Sequence, residues 1–456
     1  MSDHDVVVVG GGNAGLVAAL AARDEGARVL LIERSPRWRR GGNSRHTRDI
    51  RYAHDEPSRW APAPYPEAKF LADLAGVSDL EHADLAELMV AESRSLPTWM
   101  EEHGVRWQPA IKGTLDLATN LFFLGGGKAM INAYYAAAER SGVEVRYDAR
   151  VSALAFSNGR CAGVTVESAG RTEAAEARAV VVAAGGFEAN HSWLAERWGR
   201  GAANFIVRGT PDNDGAVVGQ LFAHGARPTG SDLFHSVAVD ARAPRFDGGI
   251  VTRVDSIPFS VVLNKHGHRF EDEGDDSWPK RYAVWGQRIA TQPDQLAFSI
   301  FDRRSWGLFI PPFHPPFMST TLDGLIRQLD LDADAATHTI HEFNASVDGS
   351  RRFDKSRLDG RRAVGIDPPR SNWAQTIEHP PFFAYPLRPG ITFTYAAVAV
   401  DASARVLRED GSRFENVFAA GEAMAGNILD RGYLAGVGLT IGSVFGRIAG
   451  REAARA

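Results

Sequence analysis

Cysteine is almost missing from this chain: Cys161 is the only one in 456 residues. That excludes an internal disulfide framework, a cysteine zinc site and a cysteine-held iron–sulfur cluster within these residues. It fits a reducing compartment, so a cytoplasmic protein is expected. A charge excess is missing too. The 51 basic and 56 acidic side chains leave a net charge of −5, which argues against a dedicated nucleic-acid binder. No repeat with a period of 20–50 residues is apparent, which argues against a solenoid. Long apolar runs are absent as well. The uncharged stretch 6–22 is broken by Gly10, Gly11, Gly12, Asn13 and Gly15, and it follows Asp3 and Asp5 where a secretory signal needs basic residues. It reads as a small-residue core helix and not as a leader or a membrane span.

What remains is an ordinary globular composition, 44% hydrophobic and 23% charged, on a chain long enough for two or three domains. The first fifty residues organise it. Val6–Val9 is an apolar run, Gly10 to Gly15 a glycine-rich turn, and an Ala/Leu stretch runs on to Arg23; a second apolar run, Arg28–Ile32, ends in Glu33. Strand, turn, helix, strand and acid form the order of a dinucleotide site. Gly10 permits the tight turn, Gly12 lets the backbone approach a pyrophosphate, and Gly15 lets helix lie close on strand. The helix N-terminus meets the phosphate charge and Glu33 can accept from a ribose. Asn13, Ala14 and Arg34 complete the nucleotide-contact set.

Seven arginines follow between positions 34 and 51. The run reads either as a solvated basic loop or as a wall facing a ligand. Gly42-Asn43-Ser44 suits backbone close to a ligand, so Arg45, His46 and Arg48 are assigned to the wall and Arg37, Arg39 and Arg40 to the surface. Residues 67–103 carry helical periodicity. Gly125-Gly126-Gly127-Lys128 opens a helix over 129–140 but lacks the spacing of a phosphate loop. Val151–Phe156 and Cys161–Val166 alternate around Asn158-Gly159 as a hairpin. Val180–Ala184 is a buried strand ending in Gly185-Gly186. From about 206 to 370 the strand–helix rhythm stops, with a strand expected at Pro258–Leu263 and a proline-rich stretch at 311–316. It resumes with Val417–Ala420, Gly421-Glu422 and a helix over 437–451. The expected fold is α/β: a Rossmann-like, glutathione-reductase-type nucleotide-binding domain (1–206 and 371–456) with an inserted α+β capping domain (207–370).

Several stretches, in order along the chain, carry a family resemblance: 42–48, Gly125–Met130, Ala183–Phe187, Val207–Pro211, Asp247–Arg253, Trp278–Tyr282, Ala419–Glu422, Gly432–Gly436 and Gly446-Arg447. They resemble the flavoprotein family of fumarate reductases and 3-ketosteroid dehydrogenases, and within it the FAD-dependent tricarballylate dehydrogenases. The resemblance implies FAD. It places Gly42, Asn43 and Ser44 at the flavin edge, Glu422 at the ribitol, and the Gly438 and Leu439 backbone at the pyrimidine. Val151, Ala184, Gly185 and Gly421 belong to the same cradle. Ser44 falls near the position of a flavin-linking histidine, so non-covalent FAD is expected.

Departures from the family matter. Fumarate reductases have a His–Thr–Met–Gly–Gly stretch that holds a substrate carboxylate; here the segment is Phe393-Thr394-Tyr395-Ala396-Ala397. Where they place an arginine before Leu-Gly-Gly, this chain has Tyr433, with Arg431 two residues earlier. Oxidising a C–C bond requires a hydride acceptor, a base and clamps for the substrate's charge. Clamp candidates are Arg45, His46, Arg48, Arg208, Arg253, Arg388 and Arg431. Tyr282 is the favoured base, since a phenol beside a guanidinium has a lowered pKa. Arg281 competes for that role, and Tyr395 and Tyr433 are secondary. Arg269 and Glu273 suit a structural ion pair. The expected reaction forms a C=C bond in a small polycarboxylate, of the tricarballylate to cis-aconitate type. Alternatives are desaturation of a cyclic ketone, a flavin monooxygenase or biosynthetic oxidase acting on a larger substrate, and a flavin-carrying subunit inert alone. Electrons would leave to a separate membrane-bound iron–sulfur partner or to O2. No metal site is expected, and no oligomeric state follows from the sequence.

Overall fold

The computed structural model describes residues 4–109, 118–157, 159–276 and 281–456. Asn158 of the expected turn and Trp278, Pro279 and Lys280 of the family-like stretches lie outside the described residues. Five parallel strands form the heart of the first sheet, in the order Arg413–Ala419, Arg171–Val182, His4–Val9, Val29–Ile32, Glu144–Arg146. Val6, Val7 and Val8 are completely buried, which is why this strand is an unbroken aliphatic run and does not alternate. The expected hairpin forms as Ala149–Ser157 against Arg160–Ser168, and the latter pairs with the first half of Arg171–Val182. That one strand therefore joins the antiparallel meander to the parallel sheet.

The helices Asn13–Asp24 and Val437–Arg455, from opposite ends of the chain, pack directly on each other. Small residues allow the approach. A Cβ on Gly450 would lie 2.2 Å from the Ala18 carbonyl oxygen, and one on Gly15 would lie 1.8 Å from that of Gly10. Gly15 thus does the work its spacing implied, seating the helix on the turn.

A second sheet is built on one long strand, Phe382–Thr394. It pairs antiparallel with Phe234–Asp240, Ala297–Asp302 and Phe317–Ser319, and parallel with Ile206–Val207; Val261–Asn264 adds to Ala297–Asp302. The helices Leu322–Ile326 and Ala333–Ser346 contribute Leu325, Ile340 and Phe343 to a core with Val261, Leu263, Phe298 and Ile300. The spine strand lies beyond the boundary expected at residue 370, and its end at Thr392–Thr394 reaches the first sheet's cleft. The helical stretch 67–103 resolves into Glu67–Ala75, Ala83–Ser93 and Leu96–Glu102, with Gly76 after the first and Pro97 opening the third. The strand expected from Pro258 starts only at Val261. Pro258 has no N–H for a ladder and sits in the 3-10 turn Ile257–Phe259.

Candidate active site

A long cleft of about 1690 Å³, counting its space open to solvent, runs along the carboxyl ends of the parallel strands. Gly10, Gly11, Gly12, Asn13 and Ala14 line one end together with Glu33 and Arg34. Glu33 is buried and accepts from the Ser35 N–H (2.8 Å), the Gly41 N–H (3.4 Å) and the Tyr135 hydroxyl (3.3 Å). Burial pushes its carboxyl above the usual range. Arg34 is held by Asp214 at 2.6 Å. A Cβ on Gly12 would meet nothing closer than Ser44 Oγ at 3.6 Å; the open side of this residue is the cleft. Val151, Ala184, Gly185, Gly421, Glu422, Gly438 and Leu439 line the same cleft, as do Gly42, Asn43 and Ser44. A long cleft with a glycine turn at a helix N-terminus and an acid at the next strand end fits an extended dinucleotide such as FAD.

The middle of the cleft is rigidly wired. Asn43 donates to Glu188 and to the Thr392 carbonyl (2.8 Å), and accepts from the Thr210 N–H (2.9 Å). Ser44 Oγ accepts from the Asn13 N–H at 3.1 Å. Glu422 accepts from the Thr394 N–H (2.7 Å) and hydroxyl (3.0 Å). The Gly438 N–H, expected to face the flavin, donates instead to the Tyr433 hydroxyl at 3.0 Å, and the Leu439 carbonyl accepts from Asn13 Nδ2 at 3.3 Å.

Glu188 was not singled out in the sequence. It is fully buried, accepts from Asn213 (2.6 Å) as well as Asn43, and neighbours Glu422. It follows Gly185-Gly186-Phe187 at the end of a buried strand, the same signature that marked Gly421-Glu422. Burial raises both carboxyls, and the charge of Glu188 raises Glu422 further, which favours one proton shared by the pair. A carboxyl raised on folding contributes stability that is lost as pH climbs from the ordinary carboxylate range through the raised value. Glu188→Gln, which cannot ionise, is therefore expected to flatten the fall in melting temperature of the flavin-free protein as pH climbs upward from the ordinary carboxylate range. A variant whose melting temperature falls as steeply as the parent's would contradict the shared proton.

At the far end, Arg48, Arg208 and Arg253 line the cleft with Tyr282, His235, Tyr433 and Phe393. Arg253 is bound by Asp255 at 2.6 Å and its guanidinium lies 4.8 Å from the Tyr282 ring centre. Arg208 donates to the Thr392 hydroxyl at 3.0 Å; burial and the Arg253 charge bring its pKa down to about 10. The expected lowering of the Tyr282 pKa is not found. Burial outweighs Arg253, Arg208 and Arg48 and pushes the phenol up to about 12. His235, also missed in the sequence, lies opposite Phe393 in the strand pair. An imidazole therefore stands beside the segment whose own histidine is absent. Its ring stacks on Tyr433 at 4.1 Å, and burial with the Arg208 and Arg253 charges keeps it neutral.

The other assigned residues are engaged by protein groups, and most lie away from the cleft. His46 lines the cleft but is engaged by Asp247 at 2.8 Å. Arg45 donates to the Arg39 carbonyl (2.9 Å), Arg388 to that of Asp294 (2.8 Å), and Arg431 pairs with Asp79 (3.0 Å). Arg281 faces Glu271 and Asp275 at 3.6 and 3.3 Å, and Tyr395 is buried, donating to the Gly432 carbonyl at 2.8 Å. None of these five is among the cleft-lining residues. Arg269 and Glu273 form the buried ion pair expected of them (2.6 Å), shared with Arg370 at 3.0 Å.

The family model described as "FAD binding domain" matches residues 5–439. The chain belongs to that family. It is an FAD-dependent oxidoreductase among the fumarate reductase and 3-ketosteroid dehydrogenase flavoproteins, whose members act on C–C bonds. It is 27% identical over 421 residues to 4-oxocyclohexanecarboxylate 2-dehydrogenase of Sinomonas cyclohexanicum, covering 85% of this chain and 70% of that protein. To the fumarate reductase (cytochrome) of Shewanella frigidimarina it is 25% identical over 477 residues, covering 99% and 77%. The fold matches 3-ketosteroid Δ1-dehydrogenase from Sterolibacterium denitrificans with a TM-score of 0.80 at 19% identity, over 99% of both chains. The FAD binding domain family thus carries the α/β fold expected from the sequence. Among the described residues, no helix is long and apolar enough to cross a membrane, and no cluster of His, Cys, Asp and Glu suits a metal ion.

Proposed function

We propose that this enzyme forms a C=C bond by removing two hydrogens from adjacent carbons of a small carboxylic acid. Conversion of tricarballylate to cis-aconitate is the polycarboxylate form of that chemistry. The carrying observation is the meeting of Arg48, Arg208 and Arg253 with Tyr282 at one end of the FAD-sized cleft. FAD, when bound, supplies the acceptor for a hydride from one substrate carbon. Gly12, Glu33, Asn43, Ser44 and Glu422 would hold it. The arginines orient the acid and offset the negative charge that builds as a proton leaves the neighbouring carbon. Tyr282 takes that proton at its phenol oxygen, with Arg253 and Arg208 favouring the phenolate. Arg281, tied to Glu271 and Asp275, is a weaker choice.

Desaturation of a cyclic ketone is the second reading. It draws on the rings of Tyr433, Phe393 and His235 along the cleft and on a relative named for a cyclic oxo acid. Anaerobic bleaching of the flavin by the substrate, with a product two hydrogens lighter, tests both. FAD is held without a covalent bond in this reading, Ser44 being tied to the Asn13 backbone. Acid precipitation is expected to leave a white pellet and a yellow supernatant; a yellow pellet would contradict this. Electrons then pass to an iron–sulfur protein at a membrane or to O2, since the single cysteine holds no cluster. A cytoplasmic location and an inserted second domain belong to the same proposal, with the return expected at 371 moved past the strand Phe382–Thr394, which holds the second sheet together.

A further inference from the structure

Among the described residues, two of the three guanidiniums at the arginine end have a carboxylate in contact and the third does not. Arg48 has Asp49 at 3.4 Å and Arg253 has Asp255 at 2.6 Å. Arg208, only 5% exposed, has no carboxylate within 4.0 Å among the described residues; its partners are the Thr392 hydroxyl and the Gly249 carbonyl. His235 adds nothing, because its ring is neutral. Among the described residues this buried guanidinium thus has no carboxylate in contact and only the more distant Asp255 to offset it, a costly state that one bound anion relieves. A second or third carboxylate on the same ligand would meet guanidiniums already neutralised, and would lie near Asp49 and Asp255.

The adjoining surface is made of rings. His235 and Tyr433 stack with an interplanar angle of 22°, Phe393 meets Tyr433 edge-on at 5.8 Å, and Tyr282 meets His235 edge-on at 5.7 Å. Such faces suit a carbon ring better than a flexible polyacid, whose desolvation they would not offset.

We propose that the substrate is a monocarboxylate built on a carbon ring, its one carboxylate on Arg208 and its ring against the wall of His235, Tyr433 and Phe393. The proposal rests on the C–C dehydrogenase reading above and narrows its substrate class.

The test titrates the FAD-loaded enzyme with cyclohexanecarboxylate, 4-oxocyclohexanecarboxylate, trans-1,4-cyclohexanedicarboxylate, tricarballylate and cyclohexanone. Flavin absorbance reads binding, and anaerobic bleaching reads turnover. A ring monocarboxylate is expected to bleach the flavin and to bind at least about tenfold tighter than either polyacid or the ketone. Asp255→Asn, which releases Arg253, is expected to shrink the gap between the ring diacid and the ring monoacid by about tenfold. Tighter binding and bleaching by tricarballylate or the diacid would overturn the monocarboxylate proposal and leave the dehydrogenase standing. Bleaching by cyclohexanone alone, or an unchanged gap in Asp255→Asn, would overturn it too. If none of the compounds bleaches the flavin, the dehydrogenase reading falls and the proposal with it.

Discussion

Tyr282→Phe is expected to keep FAD bound and to slow anaerobic flavin reduction by the substrate by roughly 10²- to 10⁴-fold, the usual contribution of a positioned acid–base group. The side chain is buried at the arginine end of the cleft, with Arg253 over its ring. Loss of the hydroxyl removes one oxygen and leaves the packing, so a large rate effect with unaltered flavin absorbance isolates the proton transfer. The pH profile gives a second reading. Burial raises the phenol to about 12, so at neutral pH nearly all of it is protonated and only a small ionised fraction can accept a proton. The rate should therefore climb about tenfold per pH unit over the neutral to alkaline range, with no plateau until the phenol itself titrates. The variant should lose that slope. An unchanged rate, or a slope shared by parent and variant, would remove Tyr282 from the chemistry.

Arg208→Met should weaken binding of the carboxylate by roughly 30- to 4,000-fold, the range for removing one side of a buried, hydrogen-bonded charge pair. The flavin-free protein should be no less stable for it. Arg208 is a buried cation without a carboxylate within 4.0 Å among the described residues, and methionine fills similar volume without the desolvation cost. Titration of flavin absorbance and a thermal melt separate the two effects. Weak binding together with a much lower melting temperature would make Arg208 a structural residue and not a clamp.

The nucleotide end was legible because its signals are local. Strand, turn, helix and acid follow one another within thirty residues, and Gly15 and Glu33 take the positions their spacing implied. Glu422 could be read for the same reason, lying just past a buried strand. Glu188 also follows a buried strand, but two glycines and a phenylalanine stand between them and weaken the local signal. The arginine end was less legible, since it is assembled across a sheet. His235 reaches the cleft because its strand pairs with Phe382–Thr394 in a register that sets it opposite Phe393; nothing within either segment announces that pairing. Arginines are ambiguous for a related reason. Arg48, Arg208 and Arg253 face the cleft while Arg45, Arg388 and Arg431 meet carbonyls or an exposed acid, and residue type cannot separate the two groups. The raised pKa of Tyr282 is not legible in the sequence because its charged neighbours are inferable there but its burial is not.

The most direct test is anaerobic mixing of the FAD-loaded enzyme with carboxylic acids that have adjacent C–H bonds, following flavin absorbance and the mass of the product. The expected result is rapid bleaching by at least one acid, with a product two hydrogens lighter and no need for oxygen. Turnover only in the presence of O2, with an oxygen atom gained by the product, would contradict the assignment of this chain as a C–C dehydrogenase.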